Sequence, residues 1–213
     1  MDLGAATLVG ILDRVGIVAF ALSGVEVGAR RRFDVFGLLV MGVVTATGGG
    51  LIRDVILGRR PYVIEREDYL LWAILASLAW IPFVWRGRVA PRPLLLVADA
   101  AGLGAFAAAG ALAAIRADLS LPDIILMAIV TGVGGGVVRD LLADRVPLVL
   151  RSEVNATAAG FGGFVVWAVE PWSNGGAAIL GASVAAAIRI GTVAFNLHLP
   201  APAKDDAPDP PTG

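Results

Sequence analysis

The 213-residue chain contains no cysteine, a single histidine and few charged residues. Without cysteine there is no disulfide framework, no thiol chemistry and no cysteine-based metal site. The only histidine, His198, lies near the end of the last apolar run, and a side chain at the membrane interface explains it better than a metal ligand, because a metal site needs several ligands. We therefore expect no metal centre and no cofactor. Since no nucleophile–base pair is apparent, we also expect no enzymatic activity.

Charge of both signs is scarce, and apolar residues take its place. Asp, Glu, Lys and Arg make up 16% of the residues, whereas 57% are hydrophobic and the mean hydropathy is +0.80. Soluble domains carry about 25% charged residues, so this composition is typical of an integral membrane protein. The net charge of −1 gives no support for nucleic acid as a partner. We expect membrane lipid as a partner and no nucleic acid.

Seven apolar segments are long enough to be membrane-spanning helices, which need about 20 residues each. Short connections that contain turn residues or charges separate them. The predicted spans lie near residues 5–29, 36–57, 69–85, 93–115, 122–143, 154–171 and 176–198. The tail that follows is rich in proline and aspartate, which predicts disorder. The sequence thus predicts an all-α, multi-pass membrane protein.

Lysine and arginine residues are distributed unevenly between the two sides of this predicted topology. The odd-numbered connections and the tail carry nine of them, and the even-numbered connections carry four. Positive residues accumulate in the cytoplasmic loops of membrane proteins. We therefore expect the N-terminus outside and the C-terminus in the cytoplasm, in the inner (plasma) membrane of the cell.

Two stretches share one pattern at an offset of 86 positions: GGGLIRDVILGRRP starts at residue 48 and GGGVVRDLLADRVP at residue 134. At least seventeen identities occur at this offset without a gap, and they include Asp13 and Asp99. Each unit contains three predicted spans, an odd number, so the second unit must enter the membrane from the opposite side. The predicted parts are a first three-helix repeat, an inverted second repeat, a seventh helix and a disordered tail, at residues 1–92, 93–175, 176–200 and 201–213.

Each glycine triplet lies inside a predicted span, the second or the fifth. Glycine destabilises a helix interior by about 0.8–1 kcal/mol relative to alanine, so three in a row predict a kinked or broken helix. Inverted repeats with interrupted helices are typical of an ion or substrate path, although small residues also allow close helix packing. The candidate pore and kink residues are Thr45, Gly48, Gly49, Gly50, Thr131, Gly134, Gly135 and Gly136. For the two threonines, a hydrogen bond to their own helix is the alternative role.

Six charged residues are predicted within the membrane, at matching positions in the two units. They are Asp13, Arg53, Asp54, Asp99, Arg139 and Asp140. A charge at the membrane centre costs about 2.5–3.5 kcal/mol on insertion scales and normally faces a partner or a cavity. Two roles stay open for both arginines: contact with a permeant ion, or an ion pair with a carboxylate that holds the kink.

The doubled glycine–Arg–Asp motif resembles the signature of the trimeric intracellular cation (TRIC) channel family, in its prokaryotic branch, and the resemblance extends from about residue 8 to residue 200. It implies a homotrimer with a pore in each protomer, lined by the second and fifth helices and permeable to monovalent cations, chiefly K⁺. Eukaryotic members have a lysine in place of Arg53 and bind an inositol phospholipid there. Prokaryotic relatives are also catalogued as glycine transporters, so a secondary carrier for a small solute such as glycine is the alternative hypothesis.

Overall fold

The structure, a computed structural model, describes residues 3–88, 90–151 and 154–195. Within these ranges the chain forms nine helices, two of which have only four residues. In chain order they are α1 (Leu3–Arg30), α2 (Val35–Ile56), α3 (Tyr62–Glu65), α4 (Glu67–Trp85), α5 (Arg92–Ile115), α6 (Leu121–Leu142), α7 (Leu148–Arg151), α8 (Val154–Val169) and α9 (Asn174–Ala194). His198 and the predicted tail lie outside the described residues.

The seven longer helices correspond to the seven predicted apolar segments. All of them except α8 are long and apolar enough to cross a membrane. Helix α8 has 16 residues, which amounts to about 24 Å at the usual helical rise and is shorter than the hydrocarbon core of about 30 Å. The all-α membrane fold is therefore confirmed, with six helices of membrane-spanning length in the described residues where the sequence predicts seven.

The helix ends repeat at the same 86-residue offset as the sequence. Helices α1 and α5 are followed by residues with positive φ, Arg32 (59°) and Asp118 (54°), and α2 and α6 by Gly58 (64°) and Asp144 (50°). In all four cases the next N–H donates to a carbonyl five residues earlier. This arrangement is a common helix C-terminal motif. The chain therefore reverses direction in the same way at both equivalent points of each unit.

Two short helices, α3 and α7, are not anticipated by the apolar segments. Each follows a proline, Pro61 or Pro147, and they too start at equivalent positions of the two units. Proline favours a helix start, because its φ is fixed near −65° and it has no N–H that needs a partner. These helices turn the chain back against the C-terminal ends of α2 and α6.

The centre of the molecule is formed by α1, α2, α5 and α6, which pack on one another, while α4, α8 and α9 surround them. Phe20 of α1 and Phe106 of α5 meet with their ring centroids 5.2 Å apart, and both side chains are buried. The two phenylalanines are equivalent positions of the two units. The pair thus marks the place where the units meet.

Both glycine triplets lie where α2 crosses α6, and each helix is continuous through its triplet. A Cβ added to Gly49 would lie 2.2 Å from the carbonyl oxygen of Thr131, and a Cβ added to Gly135 would lie 2.2 Å from that of Thr45. The prediction of a broken helix is therefore wrong. The glycines instead let the backbones of α2 and α6 approach each other closely. Tertiary packing overrides the weak helix propensity of glycine, and retained helical bonds satisfy the backbone within the membrane.

We expect Gly49→Ala and Gly135→Ala to destabilise the protein, because the new methyl group collides with backbone atoms that cannot rotate away. Overpacking of this kind costs about 1–3 kcal/mol or more, which thermal unfolding of the purified protein in detergent measures. Gly50→Ala and Gly136→Ala are matched controls, since the only atom near the added Cβ would be Nη2 of the arginine three residues later, at 3.8 and 3.7 Å. Equal destabilisation by all four substitutions would contradict the close crossing.

Candidate functional site

Two polar cavities lie at opposite ends of α1 and α5. The Arg139 cavity has a volume of about 750 Å³ and includes Ser23 near the end of α1 and Asp99 near the start of α5. The Arg53 cavity has a volume of about 590 Å³ and includes Asp13 near the start of α1 together with the end of α5. Each cavity is named after the intramembrane arginine that lines it. The two cavities therefore approach the centre of the molecule from opposite directions.

A small chamber adjoins each cavity and reaches the central phenylalanines. The chamber beside Arg53 has a volume of about 40 Å³ and includes Gly50 and Phe106. The chamber beside Arg139 has a volume of about 20 Å³ and includes Gly136 and Phe20. The α2–α6 crossing and the phenylalanine pair lie between the two chambers. The third glycine of each triplet thus faces a chamber, whereas the other two pack at the crossing.

Asp54 lines the chamber beside Arg53 and accepts hydrogen bonds from several donors. Its Oδ1 accepts hydrogen bonds from Nε of Arg53 and Nε of Arg59, both at 2.8 Å, and its Oδ2 accepts from the backbone N–H of Tyr62 at 2.7 Å. The Asp54 side chain is 1% exposed. Its charge is thus compensated by two guanidinium groups and by the first N–H of α3, so this site is a structural ion-pair network.

Asp140 has an equivalent but simpler set of partners. Its Oδ1 accepts from Nε of Arg139 at 3.0 Å, and its Oδ2 accepts from the backbone N–H of Leu148 at 3.0 Å. Nη1 of Arg139 also donates across the unit boundary, to Oγ of Ser23 at 2.6 Å. Arg139 thereby joins α6 to α1 at the wall of the cavity.

The equivalent carboxylates Asp13 and Asp99 have different partners. Oδ2 of Asp13 accepts from the hydroxyl of Tyr69 at 3.1 Å, and within the described residues no arginine or lysine pairs with it. Asp99 lies between two guanidinium groups, with Arg139 Nη1 at 3.3 Å and Arg189 Nη2 at 3.4 Å. The two cavities thus share a backbone plan and differ in how this carboxylate is compensated.

The predicted site residues fall into two groups. The six charged residues line the cavities or their chambers, together with Gly50 and Gly136. The others pack where α2 meets α6 and α1 or α5, and they are Thr45, Gly48, Gly49, Thr131, Gly134 and Gly135. The hydroxyls of both threonines donate to the carbonyl four residues earlier, at 2.6 and 2.7 Å, which is the alternative role considered from the sequence.

Sequence reasoning missed four side chains that complete these sites: Ser23, Arg59, Tyr69 and Arg189. Arg59 could have been found, because it is one of the identities shared by the two units. Arg189 gave a weaker signal, as a charge inside the last apolar segment. In the described part of the chain, no group of three or more metal-ligating side chains is present.

Comparison with known proteins places this arrangement in a family. A family model described as "Glycine transporter" matches residues 10–85 and 96–171, two ranges that start and end 86 positions apart. The UPF0126 inner membrane protein YadS of Escherichia coli K12 is 39% identical over 204 residues, which cover 93% of this chain and 98% of YadS.

Solved structures of TRIC channels share the fold over almost the whole chain. One, described as the structural basis for conductance through TRIC cation channels, has a TM-score of 0.85 and 36% identity and covers 93% of this chain and 98% of that one. A prokaryotic TRIC channel in 0.5 M KCl has a TM-score of 0.84 and 31% identity, and covers 91% and 100%. The chain belongs to the TRIC/UPF0126 family. Because this is a family of membrane channels and transporters, the expectation of a non-enzymatic membrane protein is confirmed.

We expect Asp54→Ala to destabilise this TRIC/UPF0126 protein strongly, since it leaves the buried Arg53 without a carboxylate partner. We expect Asp140→Ala to destabilise it less, since Arg139 keeps its ion pair with Asp99. Removing one partner of a buried ion pair costs about 3–5 kcal/mol, which lowers the thermal midpoint and the yield of monodisperse protein in detergent. Arg60→Ala is the control, because Arg60 is exposed and lies shortly after the C-terminal end of α2. Wild-type stability of the two aspartate variants would show that these ion pairs do not hold the walls.

Proposed function

We propose that the protein is a monovalent cation channel, permeable to K⁺, with one path through each protomer of a homotrimer. The observation that carries the proposal is the pair of cavities that approach the α2–α6 crossing from opposite ends of the same two helices. Similarity to TRIC cation channels over nearly the whole chain supports the assignment of ions to this path. The similarity also supports the trimer, because one similar solved structure is described as that of a trimeric intracellular cation channel.

The closed point of the proposed path is the α2–α6 crossing. Gly49 and Gly135 contact the facing backbone there, and the rings of Phe20 and Phe106 lie beside them. Conduction therefore requires α2 and α6 to separate at the crossing. Glycine adopts backbone conformations that other residues avoid, and irregular backbone is tolerated in a membrane where it lines water. We place the kinks of the conducting state at the two triplets for this reason.

Oxygen atoms along the chambers would replace part of the hydration shell of the ion, as in other channels. Thr47 and Asp13 line the chamber beside Arg53. Asp54 and Asp140 are occupied by arginine and backbone donors, so their role in the proposal is to hold the walls. For Arg53 and Arg139 this geometry favours the structural ion pair over direct contact with the ion.

The proposal includes two inverted repeats and the seventh helix α9, with the short helix α8 as the third crossing of the second repeat. The family model that matches twice at the repeat offset supports the internal duplication. The N-terminus would lie outside, and the Arg139 cavity would open to the cytoplasm, in agreement with the arginines that line its entrance. The inner-membrane description of YadS supports the same membrane for this protein.

A carrier for a small solute such as glycine is the second candidate. Two cavities separated by a closed crossing are also the arrangement that alternating access requires. Both cavities contain carboxylate and guanidinium groups, which suit the ammonium and carboxylate of a zwitterion. The description of the family model agrees with this alternative.

Recording from the purified protein in planar bilayers under a KCl gradient tests the first candidate. We expect discrete current steps that reverse near the K⁺ equilibrium potential, with unchanged steps in Arg60→Ala. We expect altered conductance or assembly in Arg53→Ala, since this substitution removes a wall of the chamber. Silent bilayers containing correctly folded protein would contradict the channel.

Uptake of radiolabelled glycine into proteoliposomes tests the second candidate with the same preparation. A channel with the proposed ion path gives no saturable uptake of glycine above that of empty liposomes. Saturable uptake without current steps would contradict the channel hypothesis and support the carrier hypothesis. The two measurements share one protein sample, so a folding defect would abolish both signals, whereas a folded carrier would keep saturable uptake.

A further inference from the structure

The two equivalent carboxylates differ in their guanidinium partners, one of which is an arginine from α9. This helix lies outside the two repeats, so the first unit has no equivalent of Arg189. Asp13 accepts a hydrogen bond from Tyr69, and among the described residues it has no cationic partner. Asp99 instead has Arg189 Nη2 at 3.4 Å, in addition to Arg139. Arg189 therefore breaks the electrostatic equivalence of the two cavities.

Arg189 is a buried side chain whose hydrogen bonds are incomplete. The side chain is 10% exposed and lines the Arg139 cavity, and its Nε has no hydrogen-bond partner within the described residues. The contact with Asp99 at 3.4 Å is longer than a well-formed charged hydrogen bond of about 2.7–2.9 Å. Few contacts thus fix the guanidinium in place, and its main effect on Asp99 is electrostatic.

Six arginines line the Arg139 cavity, and among the described residues only Arg139 and Arg189 form an ion pair with Asp99. Arg139 is shared with Asp140 at 3.0 Å and with Ser23, so it compensates a second carboxylate. Glu26, which also lines the cavity, already accepts hydrogen bonds from Arg30 and from the backbone N–H of Ala90. Removing the charge of Arg189 would leave Asp99 and Asp140 with one guanidinium between them.

We propose that Arg189 masks the charge of Asp99 and thereby sets the cation specificity of the Arg139 cavity. This inference rests on the proposed channel function. Conduction requires that an ion binds weakly enough to leave, and a half-buried carboxylate without compensation holds a divalent cation much longer than K⁺ because the attraction scales with charge. With Arg189 in place, the cavity passes monovalent cations; without it, Asp99 binds divalent cations and blocks the path.

The test compares Ca²⁺ block of K⁺ currents in wild type and Arg189→Met, which removes the charge and keeps an unbranched chain for packing. With Ca²⁺ added on the side of the Arg139 cavity, we expect block at about tenfold lower concentration in Arg189→Met. Arg189→Lys keeps the positive charge and should behave as wild type. The double variant Arg189→Met/Asp99→Asn should lose the added block, because the unmasked carboxylate is gone.

A role of Arg189 in packing alone would give the same Ca²⁺ sensitivity in the single and the double variant, and that result overturns the proposal. So does unchanged block in Arg189→Met. Equilibrium binding of radioactive Ca²⁺ to the proteins in nanodiscs provides a readout that needs no current. If wild type shows no channel activity, the proposed function fails while this measurement still decides the inference: a Ca²⁺ site that appears in Arg189→Met and disappears in the double variant supports it, and its absence contradicts it.

Discussion

The rest of the structure depends on the contact between the backbones of α2 and α6. At this crossing Gly49 lies against the carbonyl of Thr131 and Gly135 lies against that of Thr45, so no side chain separates the two units. The contact joins the halves of the molecule and also divides the Arg53 cavity from the Arg139 cavity. Small residues are the usual means of bringing helices close in a membrane, where the hydrophobic effect does not drive them together.

The buried charges follow from where these two helices end. Arg53–Asp54 and Arg139–Asp140 lie in the last turns of α2 and α6, where the chain must reverse. The short helices that follow return a backbone N–H to each aspartate, and the adjacent arginine supplies the charge. A carboxylate at this depth requires such compensation. The same sequence pattern therefore builds both the wall of a cavity and the turn that closes the unit.

Much of this architecture could be predicted from the sequence, because the repeat offset and the apolar segments are properties of the chain alone. The structural consequence of the glycine triplets could not be predicted from it. Helix propensity predicts a break at Gly48–Gly50, whereas the outcome depends on a partner helix that is distant in the sequence. Helices α3 and α7 are too short to have a periodic pattern. Arg189 has no equivalent in the first unit, so comparison of the repeats does not assign it a role.

The positions at which the two units differ can make the two sides of the membrane unequal. Two identical inverted halves would present the same charges to both sides of the membrane. Here the shared positions fix the crossing and the turns, while Ser23 has Ala109 as its equivalent and α9 supplies Arg189 to one cavity only. The common residues therefore specify a path that is equivalent from both sides. Ser23 and Arg189 make the two sides electrostatically distinct, because they contact Arg139 and Asp99, and neither of them contacts Arg53 or Asp13.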